Sequence, residues 1–322
     1  MNQDVQLFAS TVTAVFLEAS PFLLLGALLS SLVEAYLPQD RIEKYLPKSR
    51  LLGLLFALMA GMLIPTCECG VVSIVRRFLR KGIPPHVAIT YMLSAPVINP
   101  LVLASTYIAF RGDMAMVLAR VFVVALCASC MGLMLSGIKP ILLLREGKTL
   151  SALVDGEHRH GGPVNPDHAL HACFHMAHGC ACGCETQKSP GLIEVLAHTA
   201  AEFLEMGKYL VLGALAVGFF KVLLSQDLLL PFEDNVFLAI GAMMLLAVLL
   251  SICSEADAFV AASFSSFPKV AQLSFMTLGP MVDLKLIVMY SAVFHKRLAL
   301  ALMVVPTVLV YVLSFLFGMV VE

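Results

Sequence analysis

The sequence predicts an all-α polytopic membrane protein made of two inverted repeats, each with about three spans plus a re-entrant helical hairpin. Three observations carry that expectation. Hydrophobic residues make up 60% of the 322-residue chain and charged residues 13%, against roughly 45–50% and about 25% in an ordinary soluble domain. Apolar runs recur along its length, and the mean hydropathy is +0.91. Landmarks of the first half also return, in the same order, in the second.

The runs come first. Segments 5–33, 84–110, 114–138, 194–224, 270–294 and 298–321 each have the ~20 residues a helix needs to cross the hydrocarbon core. Segments 51–64 and 236–253 are also apolar but stop abruptly at polar motifs. The first run is too long, and lacks the basic start, for a cleavable signal peptide. A net charge of −1 gives no electrostatic footprint for nucleic acid. The nine Cys of such a chain read as ligands rather than disulfides.

The duplication is visible residue by residue. FLEASPFLLLGAL begins at Phe16 and FLEMGKYLVLGAL at Phe203; eight of thirteen positions are identical, pairing Glu18 with Glu205 and Gly26 with Gly213. Cys67-Glu68-Cys69 then falls opposite Cys253-Ser254-Glu255, and Pro96-Val97-Ile98-Asn99 opposite Pro280-Met281-Val282-Asp283. The offsets are 187, 186 and 184. Internal repeats with paired broken segments are a transporter signature, and the breaks tend to form the substrate site.

Basic residues set the topology, because cytoplasmic loops carry the Lys and Arg excess. If every apolar run crossed, giving eight full spans, the cluster at Arg41–Arg50 would lie opposite that at Arg76–Lys81. If segment 51–80 instead dips in and returns, 15 of the 21 basic residues share the cytoplasmic side. Each half then has an odd number of full spans, so the halves are inverted. The expected organisation is a first membrane repeat at 1–138, a cytoplasmic His/Cys-rich loop at 139–192 and a second membrane repeat at 193–322. The non-helical turns at Pro65–Gly70 and Cys253–Asp257 are tolerable at depth only if buried in protein or lining a wet cavity.

These turns hold the candidate chemistry. Two thiols flank a carboxylate in Cys67-Glu68-Cys69, at the end of an apolar run. Polar groups at membrane depth mark pathways and sites, and thiolates favour Cu(I), Zn(II) and other soft ions. Cys253, Glu255 and Asp257 form the partner turn, whose carboxylates need a partner, a proton or water. Asn99 and Asp283 follow prolines within long apolar runs and either face a substrate or cap the local helix break. Glu18, Glu205 and Lys285 are candidates for a proton relay. Cys127 and Cys130 share a helix face on one span and read as packing residues.

The central loop is the strongest compositional signal. His158, His160, His168, His171, Cys173, His175, His178, Cys180, Cys182 and Cys184 hold six of the nine His and four of the nine Cys. Such tracts capture metal, and imidazole with thiolate suits Cu and Zn. No GxxxxGK[ST] phosphate loop occurs, so ATP hydrolysis by this chain is not expected, and no enzymatic activity is. Outward export of a cation costs about 2.3 kcal/mol per charge per 100 mV; proton exchange through buried carboxylates is the expected source.

Taken together, Pro65-Thr66-Cys67-Glu68-Cys69-Gly70, Ser94-Ala95-Pro96-Val97-Ile98-Asn99-Pro100, Ser251-Ile252-Cys253-Ser254-Glu255-Ala256-Asp257 and Leu278-Gly279-Pro280-Met281-Val282-Asp283-Leu284-Lys285 resemble the predicted-permease superfamily that includes the organoarsenical efflux permeases. The His/Cys-rich central loop makes the resemblance greatest to its Cu/Zn efflux transporter branch. The resemblance covers nearly the whole chain apart from that loop. It implies a bacterial inner-membrane, multi-pass exporter with functional positions at Cys67, Cys69, Asn99, Cys253, Glu255, Asp257 and Asp283. Glu68 stands where many members carry Ser. The expected cargo is Cu or Zn, moved by secondary transport, with no fixed cofactor. The expected partners are membrane lipid, metal ions and a cytoplasmic metal donor, with no nucleic acid. Two alternatives stay open: efflux of trivalent arsenicals, and a membrane metal or thiol-redox sensor built on Cys67 and Cys69, although redox pairs usually read Cys-x-x-Cys.

Overall fold

In the computed structural model, residues 2–36, 49–63, 66–138, 140–144, 192–223 and 235–321 are described. All belong to one unit, formed by Met1–Arg145 and Gly191–Glu322. Glu146–Pro190, with the ten His and Cys residues of the central loop, lies outside the described residues.

The described residues are helical, with one isolated bridge between Leu144 and Phe294 and no strand. The first half runs α1 (Asn2–Tyr36), α2 (Arg50–Leu63), α3 (Glu68–Arg80), α4 (Pro85–Ser94), α5 (Pro100–Ala109) and α6 (Met114–Met134), then a 3₁₀ turn at Pro140–Leu143. The second runs α7 (Leu192–Leu223), α8 (Val236–Leu250), α9 (Asp257–Ser263), α10 (Lys269–Leu278), α11 (Leu284–Val293) and α12 (Lys296–Val321). Among the described residues, three helices hold stretches long and apolar enough to cross a membrane, Gln6–Leu29, Met114–Met134 and Lys296–Met319. Leu17, Leu118, Leu204, Leu300 and Met319 are more than 60% or at least 60% exposed. Apolar exposure on this scale would be a liability in water and is what lipid contact requires. The protein is a polytopic all-α membrane protein.

Segments 84–110 and 270–294 break, as their prolines lead one to expect, and so are not continuous helices. Each is a pair of ten-residue helices around a break, α4 with α5 and α10 with α11. A ten-residue helix is about 15 Å long, half the ~30 Å hydrocarbon core. The cause is local. Pro84 and Pro85 start α4, Pro268 starts α10, and Pro100 takes the first position of α5, where a missing N–H costs nothing. Asn99 and Asp283 cap the second helix of each pair, accepting from Val102 N at 3.0 Å and Leu286 N at 2.6 Å. Tyr290 donates to Met281 O at 3.1 Å and braces the second break.

The other two segments also break, unequally. After α2 the chain turns into α3, whose thirteen residues extend well past the apolar stretch Val71–Val75. After α8, Ser251 takes a left-handed conformation (φ 46°, ψ 49°). For a non-glycine residue that costs on the order of 1 kcal/mol. Ser251 Oγ offsets the cost by donating to Val248 O at 3.0 Å and accepting from Leu284 N at 3.1 Å. The helix that follows, α9, has only seven residues.

Helices at corresponding positions pack alike. α2 lies on α4 as α8 lies on α10, α4 on α6 as α10 on α12, and α3 crosses α11 as α9 crosses α5. α1 and α7 run along each other, α1 also covering α3 and α7 covering α11. The duplicated glycines permit this. A Cβ on Gly26 would sit 2.6 Å from Gly70 Cα, and one on Gly213 would sit 2.9 Å from Lys285 Cα. Each long helix thus touches the first turn of a broken one, an approach only small residues allow.

Candidate functional site: a thiol-lined pocket at the α3–α11 crossing

α3 begins at a thiol. Cys67 is its N-cap, and its Sγ accepts from Gly70 N at 3.3 Å. Glu68 occupies the first turn, where the helix dipole favours an anion, and Arg77 and Arg80 the last, where it favours cations. This one helix therefore runs from a buried site to a basic end.

Around that thiol the two halves meet. Cys67, Glu68 and Cys69 line a pocket together with Ser251 and Cys253 from beyond α8 and Lys285 from α11. α1 closes it with Val15, Glu18 and Ala19. The space, its mouth included, is about 270 Å³. All three thiols are buried and free. Cys253 Sγ donates to Glu255 Oε2 at 2.9 Å. Ser254 Oγ reaches Glu68 Oε2 at 3.5 Å.

The charges of the pocket converge on one cation. Lys285 Nζ donates to Glu68 Oε1 at 3.3 Å and stands 3.5 Å from Asp283 Oδ2. Glu68, Asp283 and Lys285 are at most 4% exposed. Buried charge of this kind is sustained only by pairing. Among the described residues no group of three or more His, Cys, Asp or Glu side chains is arranged to hold a metal ion.

Of the residues singled out from sequence, the structure brings Cys67, Glu68, Cys69, Cys253, Glu18 and Lys285 into one cavity. Glu255 joins through Cys253 and Asp283 through Lys285. Asn99 is buried as a helix cap. Asp257 belongs to a separate cluster, and Glu205 pairs with Arg76 at 2.8 Å outside the pocket.

The separate cluster centres on Arg120, which sequence reasoning passed over. Arg120 is fully buried in α6. It donates to Asp257 Oδ2 at 2.7 Å, Thr106 Oγ1 at 2.6 Å and Met276 O at 3.1 Å. The signal was available: a lone Arg within the apolar run 114–138 is costly in lipid and marks a functional or structural partner. Arg76 was seen only as a loop charge, and Ser251 only as the first residue of one motif of the resemblance, without a role of its own.

The chain's relatives share this whole length. The family described as "Predicted permease" matches residues 4–322. The chain is 35% identical over 302 residues to "UPF0718 protein YcgR" of Bacillus subtilis, covering 94% of this chain and 93% of that protein. It is 32% identical over 306 residues to a Streptococcus mutans protein named "Putative two-component membrane permease complex subunit", covering 95% and 93%. No solved structure matches. A continuous match of this extent, over a helical fold with lipid-facing apolar surfaces, makes the chain a member of the predicted-permease family, a multi-pass membrane permease.

Proposed function

We propose that this permease exports a soft, thiophilic cation, Cu or Zn, from the cytoplasm, and that Cys67, Cys69 and Cys253 are the residues that bind it in transit, drawing closer around it than in the arrangement described, where no three such side chains among the described residues are set to hold an ion. One observation carries the reading: three thiols from two turns 184 or more residues apart in the chain line a single buried pocket. Thiolate is the ligand that separates soft cations from the alkali and alkaline-earth ions of the cytoplasm. Glu68 and Glu18 add negative charge to the same space. His158 to Cys184 would supply ions from the cytoplasmic side.

The transport cycle is proposed to be proton-coupled, with Glu18 at the pocket as the group best placed to exchange a proton. Glu205, paired with Arg76, is better suited to holding α7 against α3. The halves are proposed to be inverted, with α2–α3 and α8–α9 as re-entrant arms in the inner membrane of a bacterium. Single cysteines at positions 80 and 269 should then label from opposite faces. A relative's name as a complex subunit supports a second membrane component acting with this chain.

The test is flux. Inverted vesicles bearing the full chain should accumulate Cu(I) or Zn(II). Cys67→Ser and Cys253→Ser should each abolish accumulation, and deletion of 155–185 should weaken it at low metal. Flux indifferent to all three changes would end the reading. A second cargo, a trivalent arsenical, is favoured by one observation: an ammonium already occupies the pocket, and a neutral, three-coordinate species meets no repulsion from it. Arsenical tolerance that is lost in Cys67→Ser and Cys253→Ser, while copper and zinc tolerance is unchanged by these substitutions and by loop deletion, would select that cargo.

A further inference from the structure

We propose that Lys285 is the resident occupant of the cargo site: its ammonium neutralises Glu68 and Asp283 while the pocket is empty and is displaced when a soft cation binds. The inference rests on the thiol-pocket reading and deepens it by naming how the site rejects hard cations.

The position of Lys285 is hard to explain as support for the fold. It lies in the first turn of α11, two residues after the Asp283 cap, where the helix dipole disfavours a cation. Its ammonium is divided between two carboxylates at 3.3 and 3.5 Å, longer than the 2.7–2.9 Å typical of charge-assisted hydrogen bonds. The other buried pair, Arg120 with Asp257, closes to 2.7 Å and is tied to Thr106 and Met276 as well. Lys285, unlike Arg120, lines the pocket.

Gly213 packs against Lys285 Cα, Cβ and Cγ, so the backbone and the first carbons of the side chain are held. The freedom left is in the outer carbons of the stem, which carry a compact charge. Movement of the ammonium alone would free Glu68 and Asp283 for an incoming ion, and the local charge would stay nearly constant. A sodium or potassium ion gains only the carboxylates Lys285 already satisfies. A soft cation gains the sulfurs of Cys67, Cys69 and Cys253 as well. Displacing the lysine is therefore favourable only for thiophilic cargo, so the tethered ammonium acts as a selectivity filter.

The experiment uses the full chain in nanodiscs with Cd(II) as a soft, redox-inert probe. Labelling of individual cysteines by N-ethylmaleimide, resolved by mass spectrometry, separates the pocket thiols from those of the central loop. Lys285→Met should lower the Cd(II) concentration that half-protects the pocket thiols by roughly tenfold, since a competing charge within a few ångströms is gone. Sodium should then compete with Cd(II) in the variant but not in the wild type. Lys285→Arg should keep the sodium resistance. In the wild type, Cd(II) should also raise acylation of Lys285 by acetic anhydride, a readout that holds even if Lys285→Met does not fold. Unchanged or weaker protection in Lys285→Met, or Lys285 acylation indifferent to Cd(II), overturns the proposal while leaving the thiol reading intact. Absence of Cd(II) protection at every pocket thiol of the wild type removes both.

Discussion

Two helix crossings of this protein correspond in position and differ in how their buried charges are held. At the α3–α11 crossing, Lys285 is held loosely by Glu68 and Asp283 and borders a pocket lined by three thiols. At the corresponding α5–α9 crossing, Arg120 from α6 donates to Asp257 at 2.7 Å, Thr106 at 2.6 Å and Met276 O at 3.1 Å, and it is not among the residues lining the thiol pocket. Both clusters are almost fully buried. The difference teaches that burial alone does not identify a working site. A planar guanidinium with several fixed partners locks elements together, whereas a split ammonium beside a cavity is available for exchange.

Breaking the sealed crossing should have the largest effect on stability. Arg120→Met leaves the Asp257 carboxylate uncompensated in a low-dielectric site, at a cost of about 3–5 kcal/mol. Thermal unfolding in detergent should show it, and Arg120→Met with Asp257→Leu should recover much of the loss. Gly26→Ala and Gly213→Ala come next. Each puts a methyl group against backbone that cannot yield, at 2.6 and 2.9 Å, and each should cost about 1–3 kcal/mol.

Cys67 sharpens the contrast at the open crossing. Serine can cap α3 as the thiol does, so Cys67→Ser should leave stability within about 1 kcal/mol of the wild type while removing metal flux; Cys67→Ala should lose both flux and about 1 kcal/mol of capping. The smallest effect belongs outside the membrane-spanning segments, where Lys269 meets Asp113 at 2.7 Å. The lysine's hydrogen bond, with its charge, holds Asp113 below the ordinary carboxylate range. The bond's contribution is therefore present above the unfolded-state value and is lost as pH falls through the folded one. Lys269 is 72% exposed, so Lys269→Ala should change stability by less than about 1 kcal/mol, a difference that shrinks as pH falls through the folded value of Asp113.

Much of this was legible in the sequence because membranes make polarity conspicuous. Cys67-Glu68-Cys69 and Cys253-Ser254-Glu255 stand out against apolar runs, and the recurrence of Gly26 at Gly213 has a physical cause in two close helix contacts. The breaks at Asn99 and Asp283 followed from their prolines, but the resulting ten-residue helices did not follow from hydropathy, which counts apolar residues and not their continuity. Arg120 was missed because a motif search looks for groups of residues, and its partners, Thr106, Asp257 and Met276, are scattered in sequence. Asp257 was read as a transport-site carboxylate that must be paired, protonated or wet; nothing local revealed that it pairs with Arg120, 137 residues away and outside the pocket. Lys285 was read as offsetting Asp283, and its reach to Glu68, 217 residues distant, came only with the fold.

The most direct test of the thiol pocket is metal flux into proteoliposomes containing the full chain, compared between the wild type and a Cys67→Ser, Cys69→Ser, Cys253→Ser triple variant verified as folded. Flux of Cu(I) or Zn(II) in the wild type, absent in the triple variant even with residues 155–185 intact, is the predicted result. Equal flux in the two proteins would contradict the assignment of cargo binding to this pocket.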